Sequence, residues 1–186
     1  GIIAITLDKG DNLTFVNTTS GKDDVLLTTE MGQSIRFSEK DVRPMGRSAK
    51  GVGGIKLSRE KDSVVGTVII PKKSKNIELL VLSELGYGKK TATEEYKVQK
   101  RAGSGILTYK VKDKTGRLVT ARAIERDKNL DVLIATTSGK IIRLSAKQIP
   151  TLGRATQGVR LIKLNERDKV ASVAVIGEEE QEISTE

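Results

Sequence analysis

The fold is decided by residues 131–164, which read DVLIATTSGKIIRLSAKQIPTLGRATQGVRLIKL. Residues 24–57 read DVLLTTEMGQSIRFSEKDVRPMGRSAKGVGGIKL and match them without a gap at an offset of 107 residues (131−24), with about half of the positions identical. A weaker third copy occupies residues 78–111. The repeated glycines show the period, at steps of 54 (86−32) and 53 (139−86): Gly32, Gly86 and Gly139. A constant period of this length indicates a repeat architecture.

The repeat also sets the domain boundaries that we expect. The opening segment GIIAITL matches only the late part of a unit, so the sequence begins in mid-repeat. We expect one β-domain over residues 1–177, followed by an acidic tail at 178–186. The domain divides into a partial unit and three full units: 1–23, 24–77, 78–130 and 131–177.

Each full unit shows four β-rich runs separated by turn signals. In the first unit they are residues 24–30, 34–38, 51–57 and 64–70, and Ile55 and Leu57 are expected to face inward. This order predicts a four-stranded antiparallel unit, and no long segment has helical spacing of apolar residues. Four strands per unit of about 50 residues is typical of β-propellers. A β-solenoid is the alternative, although its repeats are usually shorter. The glycines at residues 32, 86 and 139 are expected in tight hairpins, and those at 51, 105 and 158 at strand starts.

The composition excludes several classes of function. The chain has no Cys and no His, so it has no disulfide, no thiolate and no imidazole base or metal ligand. We therefore expect no catalytic site, metal or cofactor. No apolar run approaches the roughly 20 residues that span a bilayer. The net charge is +9, and the tail holds five Glu without a cation, so residues 1–177 carry about +14 (9+5). A basic domain of this kind favours a polyanionic partner.

Three positions are basic in every full unit. They are the sets Arg36/Lys90/Arg143, Arg47/Arg101/Arg154 and Lys56/Lys110/Lys163. We expect the first and third sets to point outward from strands, and the second to lie in the loop before the strand. Cations at one place in every unit would form a band that holds phosphates without reading sequence. The alternative is that outward strand positions are simply often basic.

The aromatic content of 3% argues against a platform for stacking single-stranded bases. The sequence therefore predicts duplex DNA as the partner, held by its backbone. The candidate phosphate contacts are Arg36, Arg47, Lys56, Lys89, Lys90, Lys100, Arg101, Lys110, Arg143, Arg154 and Lys163.

Several segments resemble the C-terminal domain of the DNA gyrase A protein: SELGYGKKT at 83–91, the GIIAI start, and residues 138–164. The resemblance implies a six-bladed β-pinwheel, a propeller variant in which neighbouring blades exchange a strand, with about four blades present here. It implies a basic rim that wraps DNA so that an ATP-driven enzyme can introduce negative supercoils. It also implies two partners in an A2B2 enzyme of the bacterial cytoplasm and nucleoid, without a membrane: the rest of the gyrase A protein and the gyrase B protein. The similar C-terminal domain of the topoisomerase IV A protein stays open as an alternative.

The gyrase family carries a motif of the form QRRGGKG in its first blade. The segment here is similar and consists of Gln99, Lys100, Arg101, Ala102, Gly103, Ser104 and Gly105. It lies too late in the sequence for a first blade, so we expect the early blades to lie outside this sequence.

The family's cleavage tyrosine follows an arginine, which is not the case for Tyr87, Tyr96 or Tyr109. We therefore expect this fragment neither to cut DNA nor to hydrolyse ATP, although the parent protein would be an ATP-dependent type II topoisomerase. A propeller scaffold that binds protein is the rival hypothesis, and an independent enzyme has little support.

Overall fold

The computed structural model describes residues 1–57, 61–72 and 74–177, and this part of the chain is all-β. Three single-turn 3₁₀ helices, Glu39–Asp41, Thr93–Glu95 and Ala146–Gln148, follow equivalent strands of the three units. The strands are β1 (Asp24–Thr29), β2 (Gln33–Ser38), β3 (Val64–Ile70), β4 (Ile77–Ser83), β5 (Tyr87–Ala92), β6 (Ile106–Leu107), β7 (Leu118–Glu125), β8 (Leu130–Thr136), β9 (Ile141–Ser145), β10 (Val159–Arg160) and β11 (Val170–Gly177).

Within the described residues, the strands form three antiparallel sheets, one for each full unit. Their orders are β3-β1-β2-β6, β10-β5-β4-β7 and β11-β8-β9. The centre of each sheet is a tight hairpin (β1–β2, β4–β5 or β8–β9), and the last strand of the unit pairs with the first strand of that hairpin. The hairpin glycines have the positive φ that the sequence predicts, 83° at Gly32, 80° at Gly86 and 83° at Gly139.

The units exchange a strand, as the family resemblance implies, whereas the strand pattern alone predicts that each unit builds all four of its own strands. Strand β6 of the second unit pairs with β2 of the first, and β10 of the third unit pairs with β5 of the second. In the first unit, residues 51–57 are described but form no strand, and Leu57 is 43% exposed instead of facing inward. The equivalent partner would be the second strand of a preceding unit, and residues 1–23 contain no strand. Alternating apolar residues predict a strand but do not identify the strand with which it pairs.

Close packing at two glycines fixes the exchanged strands. Gly105 has φ +71°, and a Cβ there would lie 2.5 Å from the carbonyl oxygen of Ser34 in the neighbouring unit. Gly158 has φ +72°, and its Cβ would lie 2.4 Å from the carbonyl oxygen of Gly88. Only glycine combines this backbone conformation with such a close approach. The structure therefore confirms the structural role expected for these glycines.

The core runs between the sheets, with the second sheet in the middle. Leu79 and Val81 of β4 pack in a cluster with residues of the first unit, while Leu80 and Leu82 pack in a cluster with residues of the third. All seven residues of β4 are therefore buried. Residues 79–82 are covered by a core cluster on each face of the strand, which is the reason for the continuous apolar LLVL run in this unit.

Candidate nucleic-acid interface

The first set of repeated cations forms ion pairs within the sheets. Arg36 contacts Asp24 at 2.8 Å, Lys90 contacts Glu78 at 3.1 Å, and Arg143 contacts Asp131 at 2.5 Å. The carboxylates recur at the same steps of 54 and 53 residues (78−24, 131−78) as the cations. The expectation that this whole set points outward is wrong, because the side chains of Arg36 and Lys90 are only 16% and 11% exposed. Only the arginine of the third unit is largely exposed, at 54%.

Arg36 also joins the first unit to the second. Its Nε donates to Oδ2 of Asp24 (2.9 Å), its Nη2 lies 2.8 Å from the same oxygen, and its Nη1 donates to the carbonyl oxygens of Thr93 (3.0 Å) and Tyr96 (3.3 Å). The guanidinium therefore contacts groups of both units. Its position shows a role in holding the units together.

Lys89 is fully buried, although we expected it at the interface. Its ammonium donates to the carbonyl oxygens of Gly153 (2.7 Å) and Arg154 (2.6 Å) in the third unit. Burial lowers the pKa of Lys89 to about 8, with a smaller opposing effect from the nearby carboxylate of Glu95. In this structure the side chain fixes a loop of the neighbouring unit and does not reach solvent.

Two arginines of the second set bind backbone carbonyls across unit boundaries. Arg101 donates to the carbonyl oxygens of Asp41 (3.2 Å) and Gly53, and Arg154 donates to that of Leu107 (2.7 Å). Both are half-buried. Arg101 belongs to the motif-like segment 99–105, which lies along the first unit through further backbone hydrogen bonds.

Five of the predicted contacts remain exposed and lack a side-chain partner within residues 1–57, 61–72 and 74–177: Arg47, Lys56, Lys100, Lys110 and Lys163. The backbone N–H of Lys56 donates to Gly103 of the second unit (2.9 Å), and that of Lys110 donates to Thr156 of the third (3.1 Å). Each of these lysines therefore lies against the loop of the following unit. This arrangement places an available positive charge at successive unit boundaries.

A fourth repeated basic set was missed by the ungapped comparison. Lys61, Lys114 and Arg167 are all exposed and lie 53 residues apart (114−61, 167−114). The other repeated sets are 54 residues apart at their first step, so this set is shifted by one residue relative to them. The structure shows that the two outer members are equivalent, since their φ values are 67° and 66°. The aspartate after each of these two, Asp62 or Asp168, accepts a hydrogen bond from the backbone of the central hairpin of its own unit. A one-residue gap in the repeat alignment would have found this set.

Other kinds of site find no support in the described part of the chain. It contains no group of three or more carboxylates or other ligating side chains placed to hold a metal ion. Among the same residues, no helix has the length and hydropathy needed to cross a membrane. The acidic tail, residues 178–186, lies outside the described residues.

Packed sheets, each with an antiparallel hairpin and an outer strand and two of them with an exchanged edge strand, define a propeller-like domain. Exposed lysines lie at its unit boundaries. A comparison with protein families identifies which domain of this class it is. Residues 1–20, 23–71, 78–125 and 130–176 match the family described as DNA gyrase C-terminal domain, beta-propeller. The chain belongs to this family.

Known relatives and structures agree with this assignment. The chain is 45% identical over 175 residues to the DNA gyrase A protein of Ureaplasma parvum, with 94% of the chain aligned to 20% of that protein. The chain thus spans about a fifth of the curated relatives that it matches. A solved gyrase A C-terminal domain superposes with a TM-score of 0.78 at 28% identity, covering 95% of this chain and 58% of that one. The C-terminal domain of a DNA topoisomerase IV gives a TM-score of 0.86 at 25% identity, covering 95% and 53%.

Proposed function

We propose that this domain binds duplex DNA through its phosphates and bends it along a row of exposed cations. The row consists of the five exposed candidates: Arg47, Lys56, Lys100, Lys110 and Lys163. The observation that carries the proposal is that the lysine at the position of Lys56 recurs in every unit, exposed and without a carboxylate partner in the described chain. By contrast, Arg36 and Lys90, which also recur, are neutralised by carboxylates.

The paired and buried cations have a different part in this proposal. Lys89, Lys90, Arg36, Arg101 and Arg154 bind protein groups of their own or a neighbouring unit and so hold the loops in place. We therefore do not include them among the direct phosphate contacts. Phosphate contacts alone would make binding insensitive to base sequence.

Salt dependence is the sharpest test of phosphate binding. Each neutralised phosphate contributes about 0.9 to the slope of log K against log salt, so five contacts predict a slope of roughly −4.5. Replacing Lys56 and Lys110 together by Met should reduce the slope by about 1.8 and weaken binding equally on unrelated sequences. The measurement is fluorescence anisotropy with two unrelated 40-base-pair duplexes between 50 and 300 mM KCl.

A control with the same charge change is the double replacement of Lys75 and Lys128 by Met, in which Lys75 is exposed and Lys128 pairs with Glu125 at 2.9 Å. These lysines lie at the end of the second sheet where β4 begins and β7 ends, a strand length away from the hairpin of that sheet. The control should leave the slope close to that of the wild type. Equal slopes for both double variants, or a loss on only one of the two duplexes, would refute the proposed row of contacts.

Bending with a fixed hand is tested separately on a nicked plasmid sealed by ligase in the presence of the protein. A change of linking number that grows with protein concentration would support wrapping. Binding without any change of linking number would mean that this chain holds DNA without wrapping it. Duplex DNA is stiff over about 150 base pairs, so a curved path requires many contacts to repay the bending energy.

The larger assembly belongs to the same proposal. We infer that the parent protein is the A component of an ATP-dependent type II topoisomerase, because the relatives at 42–45% identity are DNA gyrase A proteins. It would act on DNA with a gyrase B protein in an A2B2 complex at the bacterial nucleoid. Supercoiling by the parent protein, with and without these 186 residues, tests whether the domain directs the strand passage.

A further inference from the structure

A cationic cleft lies between the second and third units. It has a volume of about 310 Å³ and is bounded on one side by Leu85 and Tyr87 of the central hairpin. Asp168 is the only carboxylate among its described lining residues. Five cations line it: Lys114, Arg160, Lys163, Arg167 and Lys169.

Most of this positive charge is not neutralised by the protein. Lys169 pairs with Glu84 at 2.6 Å, so its charge is compensated. The carboxylate of Asp168 accepts hydrogen bonds from the hydroxyls of Thr137 (2.8 Å) and Ser138 (2.7 Å). It is therefore committed to the hairpin of its own unit. The four remaining cations have no carboxylate partner in the described chain, which leaves the cleft strongly positive.

Arg160 is held in an orientation that suits an anion. Its Nε and Nη2 donate to the hydroxyl of Tyr87 at 3.3 and 2.9 Å, and its Cζ lies 5.4 Å from the centroid of that ring. A guanidinium has five N–H donors, so about three remain for a ligand. The phenol is neutral and leaves the positive charge intact, whereas Arg143 is paired with a carboxylate. A preoriented guanidinium with free donors is suited to bidentate recognition of phosphate.

The other unit boundary shows that this arrangement is not a by-product of the repeat. At the equivalent positions of the first boundary, Leu107 replaces Arg160 (160−53) and Gln33 replaces Tyr87 (87−54). The cleft there has nearly balanced charges, with three cations (residues 110, 112 and 117) and two carboxylates (84 and 113). Of these two boundaries, the second alone combines the oriented arginine with an excess of cations.

We propose that the cleft between the second and third units binds a phosphate group, contacted by Arg160 in the orientation set by Tyr87 and by Arg167 and Lys114. The proposed function makes the DNA backbone the source of this phosphate, so this part of the assignment rests on the proposed function. Free inorganic phosphate presents the same chemistry. The site adds three contacts outside the row proposed above.

The test uses the 1–186 chain with Arg160→Leu and Arg167→Ala combined. Leucine is the natural residue at the other boundary, and both arginines are exposed, so the fold should be retained. Removing two phosphate contacts should lower the salt slope by about 1.8. Between 50 and 200 mM KCl the wild type should then lose about tenfold more affinity for a 40-base-pair duplex than the variant. The control is again the Lys75/Lys128 double variant. Tyr87→Phe retains the ring and all charges, so it should weaken DNA binding less than Arg160→Leu alone.

A second arm uses inorganic phosphate alone, followed by the NMR signal of the Arg160 Nε–H group with chloride as the reference. A lowered DNA slope in the double variant assigns the site to the DNA backbone. An unchanged slope, with saturable phosphate shifts that Arg167→Ala weakens, assigns it to free phosphate. If the wild type binds DNA but shows neither the lowered slope in the double variant nor the phosphate shifts, the proposed phosphate site is refuted. If the wild type does not bind DNA but Arg160 responds to phosphate, the proposed function fails while the phosphate site stands.

Discussion

Replacing Arg36 by methionine tests whether the repeated strand cations stabilise the fold. The change leaves the carboxylate of Asp24, whose side chain is 5% exposed, without its counter-charge. It also removes the donor to the carbonyl oxygens of Thr93 and Tyr96. Removing one partner of a buried ion pair costs about 3–5 kcal/mol. For a chain of this size that loss lowers Tm by roughly 10 °C.

The repeat supplies a matched control at Arg143, which has the same register and the same kind of partner. That pair is more open, with side chains 54% and 20% exposed, and exposed pairs contribute at most about 1 kcal/mol. Urea unfolding followed by circular dichroism should therefore show a large loss for Arg36→Met and a small one for Arg143→Met. The double change Asp24→Val with Arg36→Met should recover at least half of the large loss, since no unpaired charge remains. Equal losses for the two single variants, or no recovery in the double variant, would refute the reasoning.

Three further predictions concern a buried lysine, two glycines with positive φ, and an ion pair between the second and third units. The pKa of Lys89 is about 8 in the folded protein, below the ordinary 10.5, so the folded state loses this proton at a lower pH than the unfolded state does. The wild type should therefore gain stability relative to Lys89→Met as pH rises from about 8 towards 10.5, which thermal melts would measure. A difference in stability between the two proteins that stays constant over this pH range would contradict the buried position. Gly139→Ala, with positive φ but open space around it, should cost about 1 kcal/mol, whereas Gly105→Ala, which also clashes with the carbonyl of Ser34, should cost clearly more in urea titrations. Burial opposes ionisation of Glu84, but hydrogen bonds from its partner Lys169 and from a backbone N–H outweigh this effect and hold its pKa below 4.5. The stability that the ionised Glu84 contributes should therefore be lost as pH falls below 4.5 through its lowered pKa. A Glu84→Gln variant should therefore lose less stability than the wild type on acidification.

The repeat and its strands could be predicted because they are written in local pattern. Glycines at a constant spacing identify the hairpins, and alternating apolar residues identify β1, β2 and β3 within a residue or two of their ends. Even the double-sided burial of β4 is visible in its continuous apolar run. These features depend on residues close together in sequence, so no knowledge of the neighbouring units is needed.

The roles of the cations could be predicted only in part. Repetition in register identified Lys56 and Arg36 alike, although one lies exposed and the other is bound to Asp24. It also passed over Arg160, which breaks the repeat and for that reason has no counterpart to compare. A repeated residue is equally expected of a binding track and of an internal joint, so repetition alone does not separate them.

The sequence by itself therefore determined the period, the all-β class, the hairpins and the positive charge of residues 1–177. Only the tertiary structure decided that β6 and β10 complete the sheets of neighbouring units, and which cations form ion pairs or hydrogen bonds within the protein. The physical reason is that strand exchange and ion pairing join residues far apart in the chain, such as β2 with β6 and β5 with β10. Their partners are chosen by which backbone edges and buried carboxylates come together after the units pack, and no local pattern contains that information.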